Sequence, residues 1–226
     1  MAVIHRTTMT PSKLELLTSW LPVQPWYAGT GRRPELTNAG GFRLDDPQGE
    51  VGIEFMVVTD GSGNRPLTYH VPLSYRGAPL DGAEHALIGT AEHGVLGRRW
   101  IYDGAHDPVL VTQLLGLVLG HAEPQAQSLS NAADRSVTRH FSGTIGSALV
   151  SSTVVTNGPD GTDLAVETTT AAGPRSGPTG RLTIRVPRIL RPEDSPADGT
   201  VPRGYVTAGW RLPHGAECRG LLAVVP

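Results

Sequence analysis

Acidic and histidine side chains occur in two short stretches of the first half of the chain, and these residue types are suited to acid–base chemistry. Glu84 and His85 are adjacent, and Asp103, His106 and Asp107 follow further along. A carboxylate and an imidazole can exchange protons with a substrate when both face the same cleft. The same residues could also bind a metal, but their spacing does not show the roughly three or four convergent donors that a first-row metal needs.

Local structure explains most of these residues more simply. Asp107 precedes Pro108, and this pair is typical of the first turn of a helix. Asp103 precedes Gly104, as in a turn, and His106 lies in the loop between the two motifs. We therefore predict no metal, no cofactor and no catalytic residue. Four side chains remain as candidates for binding a ligand: Glu84, His85, Asp103 and His106.

Aromatic and arginine side chains supply the other candidates for binding. Trp26 and Tyr27 could form a platform for a sugar ring, although such a pair more often closes a hydrophobic core. The stretch 168–192 contains arginines but no acid, and Arg181 and Arg185 would share one face of a strand. Arginines of this kind usually keep an exposed strand edge soluble, and an anionic partner is the alternative.

Motifs for nucleotide binding and for nucleophilic catalysis are incomplete. The glycine-rich stretch 29–33 lacks the Gly-Lys-Ser/Thr ending of a phosphate-binding loop. No Gly-x-Ser-x-Gly motif is present, and Cys218 has only His214 as a local partner. These patterns give no support to a nucleotide site or to a covalent mechanism.

Composition excludes several classes of partner. With 226 residues the chain can bury a sizeable core, and its net charge of −2 carries no basic excess of the kind that nucleic-acid-binding proteins show. The longest apolar stretch, 108–120, is too short to cross a bilayer, and the N-terminus has no apolar signal segment. Cys218, the single cysteine, cannot form an internal disulfide. We expect a cytoplasmic protein that binds neither nucleic acid nor membranes.

Periodicity predicts two helices in the first half. Ser12 and Glu15 have the spacing of a capping box, which predicts a short helix from about Lys13 to Trp20. Asp107 begins a second, apolar helix that runs to about Leu119. Both helices are expected to pack against a sheet.

Strands are predicted on both sides of residue 122. Alternation predicts a hairpin over about 51–57 and 69–76, with one solvent-exposed face that includes His70, and Pro72 indicates an edge strand or a bulge. Further strands are predicted at 85–90, 98–102, 137–142, 147–156, 164–170, 181–186, 205–212 and 221–225. The stretches 173–180 and 192–202 are predicted loops. We therefore expect an α+β domain over 1–122 and a β-rich region over 123–226, which is either a second lobe or an extension of the same sheet.

Short motifs follow one another in a fixed order over about residues 12 to 120. They are Trp20-Leu21-Pro22, Pro25-Trp26-Tyr27-Ala28-Gly29, Thr59-Asp60-Gly61, Tyr69-His70-Val71-Pro72-Leu73, Gly77-Ala78-Pro79, His85-Ala86-Leu87-Ile88-Gly89, Tyr102-Asp103-Gly104 and Asp107-Pro108. In this order they resemble the N-terminal cap domain of bacterial maltokinases, which phosphorylate maltose with ATP. The resemblance implies a cystatin-like cap, in which an antiparallel sheet packs on one or two helices.

The resemblance implies a role in the metabolism that maltokinases serve, but it does not imply their catalytic activity. The catalytic loop and the metal-binding acidic motif of maltokinases have no counterpart in this sequence, so no catalytic or ATP-binding residue is carried over. The arginine-rich composition, with Lys13 as the only lysine, resembles that of standalone actinobacterial caps. The resemblance implies a noncatalytic accessory or ligand-binding protein of trehalose, maltose 1-phosphate and glycogen metabolism. Its partner would be an enzyme of that metabolism or a small carbohydrate.

Two alternatives stay open at the level of the sequence. The first is an enzyme that acts on a glucan or a sugar phosphate through a cleft between two lobes, with Glu84, His85, Asp103 and His106 converging in that cleft. The second is a structural module that binds an anionic partner through the arginine-rich strand around Arg181 and Arg185. The oligomeric state is not indicated by the sequence.

Overall fold

A computed structural model gives the structure of residues 8–29, 31–127, 132–143, 148–159, 161–170, 178–192 and 202–226. Within these residues the chain is mostly antiparallel sheet with two short α-helices, which confirms the expected α+β class in its coarse form. None of the helices in the described part of the chain is long and apolar enough to cross a membrane.

The two helices lie where the capping motifs predicted them. Helix α1 (Lys13–Trp20) begins with the Ser12–Glu15 capping box, in which each residue accepts a hydrogen bond from the other's backbone N–H. Helix α2 (Pro108–Leu119) begins at Asp107, whose carboxylate accepts a hydrogen bond from the N–H of Val109. It ends at Gly120, which adopts the left-handed conformation that glycine tolerates best.

Fourteen strands are present in the described residues. Those of the first half are β1 (Met9–Thr10), β2 (Leu36–Leu44), β3 (Gly52–Asp60), β4 (Leu67–Arg76), β5 (Leu87–His93) and β6 (Gly97–Asp103). Those of the second half are β7 (Gln125–Ala126), β8 (Thr138–Phe141), β9 (Ala148–Gly158), β10 (Gly161–Thr170), β11 (Pro178–Pro187), β12 (Ile189–Leu190), β13 (Gly204–Arg211) and β14 (Glu217–Val225). The predicted loop residues 173–177 and 193–201 lie outside the described part of the chain.

All the described strands belong to one antiparallel sheet. Its main path runs β1, β5, β6, β4, β3, β2, β13, β14, β11, β10 and β9, while β12, β7 and β8 pair with β4, β2 and β13. The two halves of the path meet at β2 and β13, which share a single bridge between Gly40 and Trp210. Strands from before and after residue 122 are thus hydrogen-bonded together, and the division into two domains stays a prediction.

Hydrophobic residues cover both faces of the sheet around β3. Alternate residues of β3 point to opposite sides: Phe55 and Val57 pack in the larger core around α2, and Met56 and Val58 pack in the smaller core around α1. On the α1 side, the ammonium group of Lys13 bonds the buried carboxylate of Glu54 at 2.8 Å. Burial opposes the charge of Glu54, but Lys13 and the hydrogen bonds around it still keep its pKa below the usual value.

Strand β4 differs from its predicted environment. Every residue from Thr68 to Ser74 is buried, so the prediction of a solvent-exposed face was wrong. The strand is also internal, because β3 lies on one side and β6 and β12 lie on the other. On that side of β4, β6 pairs as far as Leu73 and β12 pairs from Tyr69. Pro72 lies in the gap between them, so its missing N–H interrupts neither ladder.

Strand β2 was not predicted, because its sequence has the composition of a turn. Asn38, Gly40 and Gly41 lie in its middle, and the register with β3 shifts between Asn38 and Gly40. Gly41 has a positive φ of 133°, and a Cβ at this position would collide with the carbonyl oxygen of Phe55. The glycine therefore permits the close approach of β2 to β3.

Candidate functional site

A buried ion pair joins one of the predicted binding residues to the second half of the chain. Asp103 ends β6, and Arg188 lies between β11 and β12. The Nη2 atom of Arg188 donates to both carboxylate oxygens of Asp103 at 2.8 and 2.7 Å, and its Nε donates to the hydroxyl of Thr162 at 2.8 Å. Arg188 is fully buried and Asp103 is 2% exposed. The carboxylate of Asp103 is thus occupied by a structural bond.

The two aromatic candidates pack beside this ion pair. The guanidinium carbon of Arg188 lies 5.0 Å from the ring centroid of Trp26, which is itself buried in the α1 core. Tyr27 is half-buried, and its hydroxyl donates to Asp60 at 2.8 Å. Burial and the neighbouring Asp60 raise the pKa of Tyr27 well above its usual value. Trp26 therefore offers no exposed face to a sugar, and the hydroxyl of Tyr27 is already bonded.

The structure brings together two of the remaining candidates. His85 Nε2 lies 3.1 Å from His106 Nδ1, and the two rings meet edge to face. His85 is exposed and His106 is half-buried, and this burial lowers the pKa of His106. Glu84 is also exposed, and its carboxylate accepts a hydrogen bond from the N–H of Gly82 at 3.1 Å.

The four acid–base candidates do not form a convergent set. Only His85 and His106 are in hydrogen-bond contact, while Asp103 is buried against Arg188 and Glu84 closes a local turn. Among the described residues, no group of three His, Cys, Asp or Glu side chains is placed to hold a metal ion. Asp103 and Glu84 are thus held by contacts within the fold, and among the four candidates His85 and His106 contact only each other.

Asp107 forms a second buried ion pair at the start of α2. Its carboxylate accepts two hydrogen bonds from Arg76, at 2.6 and 2.7 Å, in addition to the one from Val109. Asp107 is fully buried. Burial opposes its charge, but the bonds from Arg76 and the helix N-terminus still hold its pKa below the usual value.

His70 occupies the interior, although the alternation of β4 had placed it on a solvent-exposed face. It is fully buried and its ring packs against that of Phe55, because α2 and the larger core cover this side of the sheet. Burial and the positive charge of Arg188 lower the pKa of His70 to about 3. The imidazole is therefore neutral at physiological pH.

This burial predicts a loss of stability at mildly acidic pH. In the unfolded chain His70 titrates near its usual pKa of about 6.5, whereas the folded state stays neutral down to about pH 3. Between these values the unfolded state binds the extra proton, so the free energy of unfolding falls as the pH is lowered, by up to about 1.4 kcal/mol per pH unit. The measurement is urea denaturation at several pH values between 7 and 4.5. We expect His70→Gln to flatten the dependence of the unfolding free energy on pH. His140→Gln, at an exposed histidine, should leave it unchanged. If His70→Gln also leaves it unchanged, His70 is not the source of this pH dependence.

The two arginine candidates lie on an internal strand. Strand β11 is flanked by β14 and β10, so the prediction of a strand edge was wrong. Arg181 and Arg185 are exposed on its solvent face, and Arg185 is ion-paired with Asp163 of β10 at 2.9 Å. Arg188 was expected to be solvated but is buried, because Asp103 supplies its counter-charge. Arg175 lies outside the described residues.

An open groove lies where the two halves of the sheet meet. We call it the seam groove; its volume is about 840 Å³. Because β2 and β13 share one bridge, their neighbouring residues diverge and leave this space. Its lining residues are Asn38, Ala39, Gly40, Ser136, Pro192, Gly209, Trp210, Arg211, Glu217, Cys218 and Arg219.

The seam groove combines polar side chains of several kinds. Arg211 and Glu217 form an exposed cross-strand ion pair at 2.9 Å, and Arg219 donates to the hydroxyl of Thr138 at 2.7 Å. The amide oxygen of Asn38 accepts a hydrogen bond from the backbone at 3.1 Å. These groove residues could not be predicted from the sequence, since the composition of β2 is that of a turn and nothing local indicates that β2 meets β13.

The order of the first-half motifs is matched by a known family. Residues 20–107 match the maltokinase N-terminal cap domain. The match confirms the resemblance over these residues, which are less than half of the 226-residue chain. We call them the cap segment; it extends from the end of α1 through β2 to β6 and ends at the N-cap of α2.

The cap segment is joined to the rest of the chain at several places. Asp103 of the cap segment bonds Arg188 from outside it, and β12 pairs with β4 of the cap segment. Asn38, Ala39 and Gly40 of the cap segment form one wall of the seam groove, and β13 and β14 form the other. The groove is therefore a composite of the cap segment and the residues that follow it.

Proposed function

We propose that this chain is a noncatalytic binding protein of maltose 1-phosphate, trehalose and glycogen metabolism, and that it binds a short α-linked glucose oligosaccharide in the seam groove. The association with this metabolism rests on the match between residues 20–107 and the maltokinase cap. In this proposal the cap segment keeps the cystatin-like arrangement that the resemblance implies, and the protein works in the cytoplasm of an actinobacterium.

The composition of the seam groove is the observation that carries the proposal. Its volume of about 840 Å³ lies within the range of about 300–1,000 Å³ that is common for small-molecule sites. Its polar groups are an amide, a hydroxyl, two guanidinium groups and a carboxylate. Each already makes a bond within the protein, and their remaining donors and acceptors can bond sugar hydroxyls. The carboxylate of Glu217 balances the charge of Arg211, so this pair can bond a neutral polyhydroxylated ligand without a net charge of its own.

We propose that the bound sugar is not converted, because the acid–base candidates do not converge around one site. Asp103 is buried under Arg188, and Glu84 accepts from Gly82. The pair His85–His106 has no carboxylate hydrogen-bonded to it among the described residues. An enzyme of glucan or sugar-phosphate chemistry would need these groups to converge around a substrate.

Removing the exposed ion pair of the groove should weaken sugar binding. In the variant R211A/E217A two side chains that face the groove are lost, and we expect the affinity for maltotriose to fall by at least about tenfold, or about 1.4 kcal/mol. The measurement is isothermal titration calorimetry with maltotriose, with cellobiose as the β-linked comparison. The matched control is R98A/E92A, since Arg98 and Glu92 form an exposed ion pair of the same kind at 2.8 Å on β5 and β6.

The single cysteine allows the groove to be tested without a substitution. Cys218 is half-buried and lines the groove. Saturating maltotriose should slow the reaction of this thiol with a small maleimide, and cellobiose should not. Maltotriose binding that leaves the labelling rate unchanged would locate the sugar elsewhere and contradict the groove assignment.

A partner enzyme is the second candidate, and the hairpin between β5 and β6 favours it. Val95 and Leu96 at its tip are 61% and 47% exposed. The tip is held in place, because Nδ1 of His93 accepts hydrogen bonds from the N–H groups of both residues and Arg99 donates to the carbonyl of Leu96 at 2.6 Å. A fixed loop that exposes two apolar side chains suits an apolar pocket on another protein. The arginine-rich strand supports an anionic partner less well, since Arg185 is ion-paired with Asp163.

A further inference from the structure

The two edges of the sheet are protected to different extents from pairing with a further strand. At one end, β5 is partly covered by β1 and carries the charged residue Glu92. At the other end, β9 pairs only with β10 among the described residues. No residue from Val150 to Gly158 is buried, and Val154 is 60% exposed. Within the part of the chain that the structure describes, strand β9 is therefore an open edge.

The sequence of β9 lacks the usual protection of an open edge. Natural edge strands avoid unwanted pairing through charged side chains, proline or bulges. From Ala148 to Gly158 the strand contains no charged residue and no proline. Its one irregularity is a shift in register with β10 at Ser151, which leaves a regular segment from Ser152 to Gly158. This segment is available for pairing with another strand.

The hairpin between β9 and β10 fixes which backbone groups are available. The register pairs Gly158 with Gly161 across a two-residue turn, and this closing pair is hydrogen-bonded. Because hydrogen-bonded and non-hydrogen-bonded positions alternate along an antiparallel ladder, Thr153, Val155 and Asn157 direct their N–H and C=O groups away from β10. These groups form a regular row along the edge of the sheet.

We propose that two copies of this chain form a dimer by antiparallel pairing of their β9 strands about a two-fold axis. The register that uses the outward-facing groups places Thr153 opposite Val155 of the second copy, and it places Val154 directly opposite the second copy's Val154. Each exposed valine is then covered by its counterpart, and every pair within the regular segment from Ser152 to Thr156 joins two uncharged residues. Self-pairing of an uncharged strand brings no like charges together within the ladder, which favours a second copy over a charged peptide as the occupant.

A lysine on the two-fold axis should dissociate the dimer. In Val154→Lys the two ammonium groups lie directly opposite each other, and like charges at such positions destabilise an antiparallel pair. Sedimentation-velocity ultracentrifugation should give a dimer for the wild-type protein in the micromolar range and a monomer for Val154→Lys. The matched control is Val23→Lys at another exposed valine, 77% exposed and remote from β9, which should stay dimeric. A monomeric wild type, or a Val154→Lys variant that stays dimeric, overturns the proposal.

A disulfide test checks the register. Residues directly opposite at a non-hydrogen-bonded position have Cα atoms about 4.5 Å apart, within disulfide range. In a Cys218→Ser background, Val154→Cys should oxidise rapidly to a covalent dimer. Thr156→Cys should not, since the register places Thr156 opposite Ser152 of the second copy. Equal rates of oxidation for the two cysteine variants would contradict this register. A covalent dimer from Thr156→Cys alone would show that the two strands pair in a different register.

Discussion

Replacing Arg188 with methionine is expected to lower the free energy of unfolding by about 3–5 kcal/mol. The substitution leaves the carboxylate of Asp103 buried at 2% exposure without its counter-charge. It also removes the hydrogen bond to the hydroxyl of Thr162 and the contact with the ring of Trp26. Because Arg188 bonds a residue of the cap segment from outside it, the loss should loosen the junction between β12 and β4.

Two further variants separate the buried charge from the general effect of losing an arginine. Arg185→Met removes an exposed ion pair with Asp163 near the end of β11, and we expect a change below about 1 kcal/mol. The double variant D103L/R188M removes both charges, and it should recover part of the loss, since an apolar pair can replace a buried ion pair at little cost. Urea denaturation followed by circular dichroism measures all three. A single Arg188→Met variant that loses less than Arg185→Met would contradict the account of this ion pair.

Replacing Asp107 with alanine should lower the free energy of unfolding by about 3–4 kcal/mol. The carboxylate has two functions: it caps α2 through the N–H of Val109 and it balances the charge of Arg76. Helix α2 supplies much of the larger core, including Leu110, Leu114 and Leu117, so a weakened first turn affects the whole of that core.

The variant Asp107→Asn separates the two functions. Asparagine is also a good N-cap, so this variant keeps the cap and loses only the charge that Arg76 needs. We expect its loss of stability, measured by urea denaturation, to be smaller than that of Asp107→Ala. Ser12→Ala, which removes the exposed cap of α1, should cost about 1 kcal/mol. Equal losses for Asp107→Ala and Ser12→Ala would show that the ion pair with Arg76 contributes nothing.

The helices could be predicted because their signals are local. The capping box at Ser12 and the pair Asp107–Pro108 determine where α1 and α2 begin, and Gly120 determines where α2 ends. Most strands followed from alternation in the same way. The order of the motifs also predicted the cap match, since the residues that carry it lie within one continuous stretch.

The environment of the buried polar residues could not be predicted from the sequence, because it depends on strands that are distant along the chain. Arg188 and Asp103 are separated by 85 positions, and no pattern near either residue indicates the other. His70 alternates like an exposed residue, but Phe55 and the chain at Pro187 and Arg188 pack around it and bury it. The seam groove was missed for the same reason, since it needs the single bridge between Gly40 and Trp210.

In the proposed function, the chain binds an α-linked glucose oligosaccharide in the seam groove without converting it. The most direct measurement is calorimetric titration of the 226-residue protein with maltotriose, followed by mass spectrometry of the sugar recovered after incubation with ATP and magnesium. We predict saturable binding that R211A/E217A weakens and a recovered sugar of unchanged mass. Failure to bind maltotriose, or a phosphorylated or cleaved sugar that depends on the protein, would contradict the proposed function.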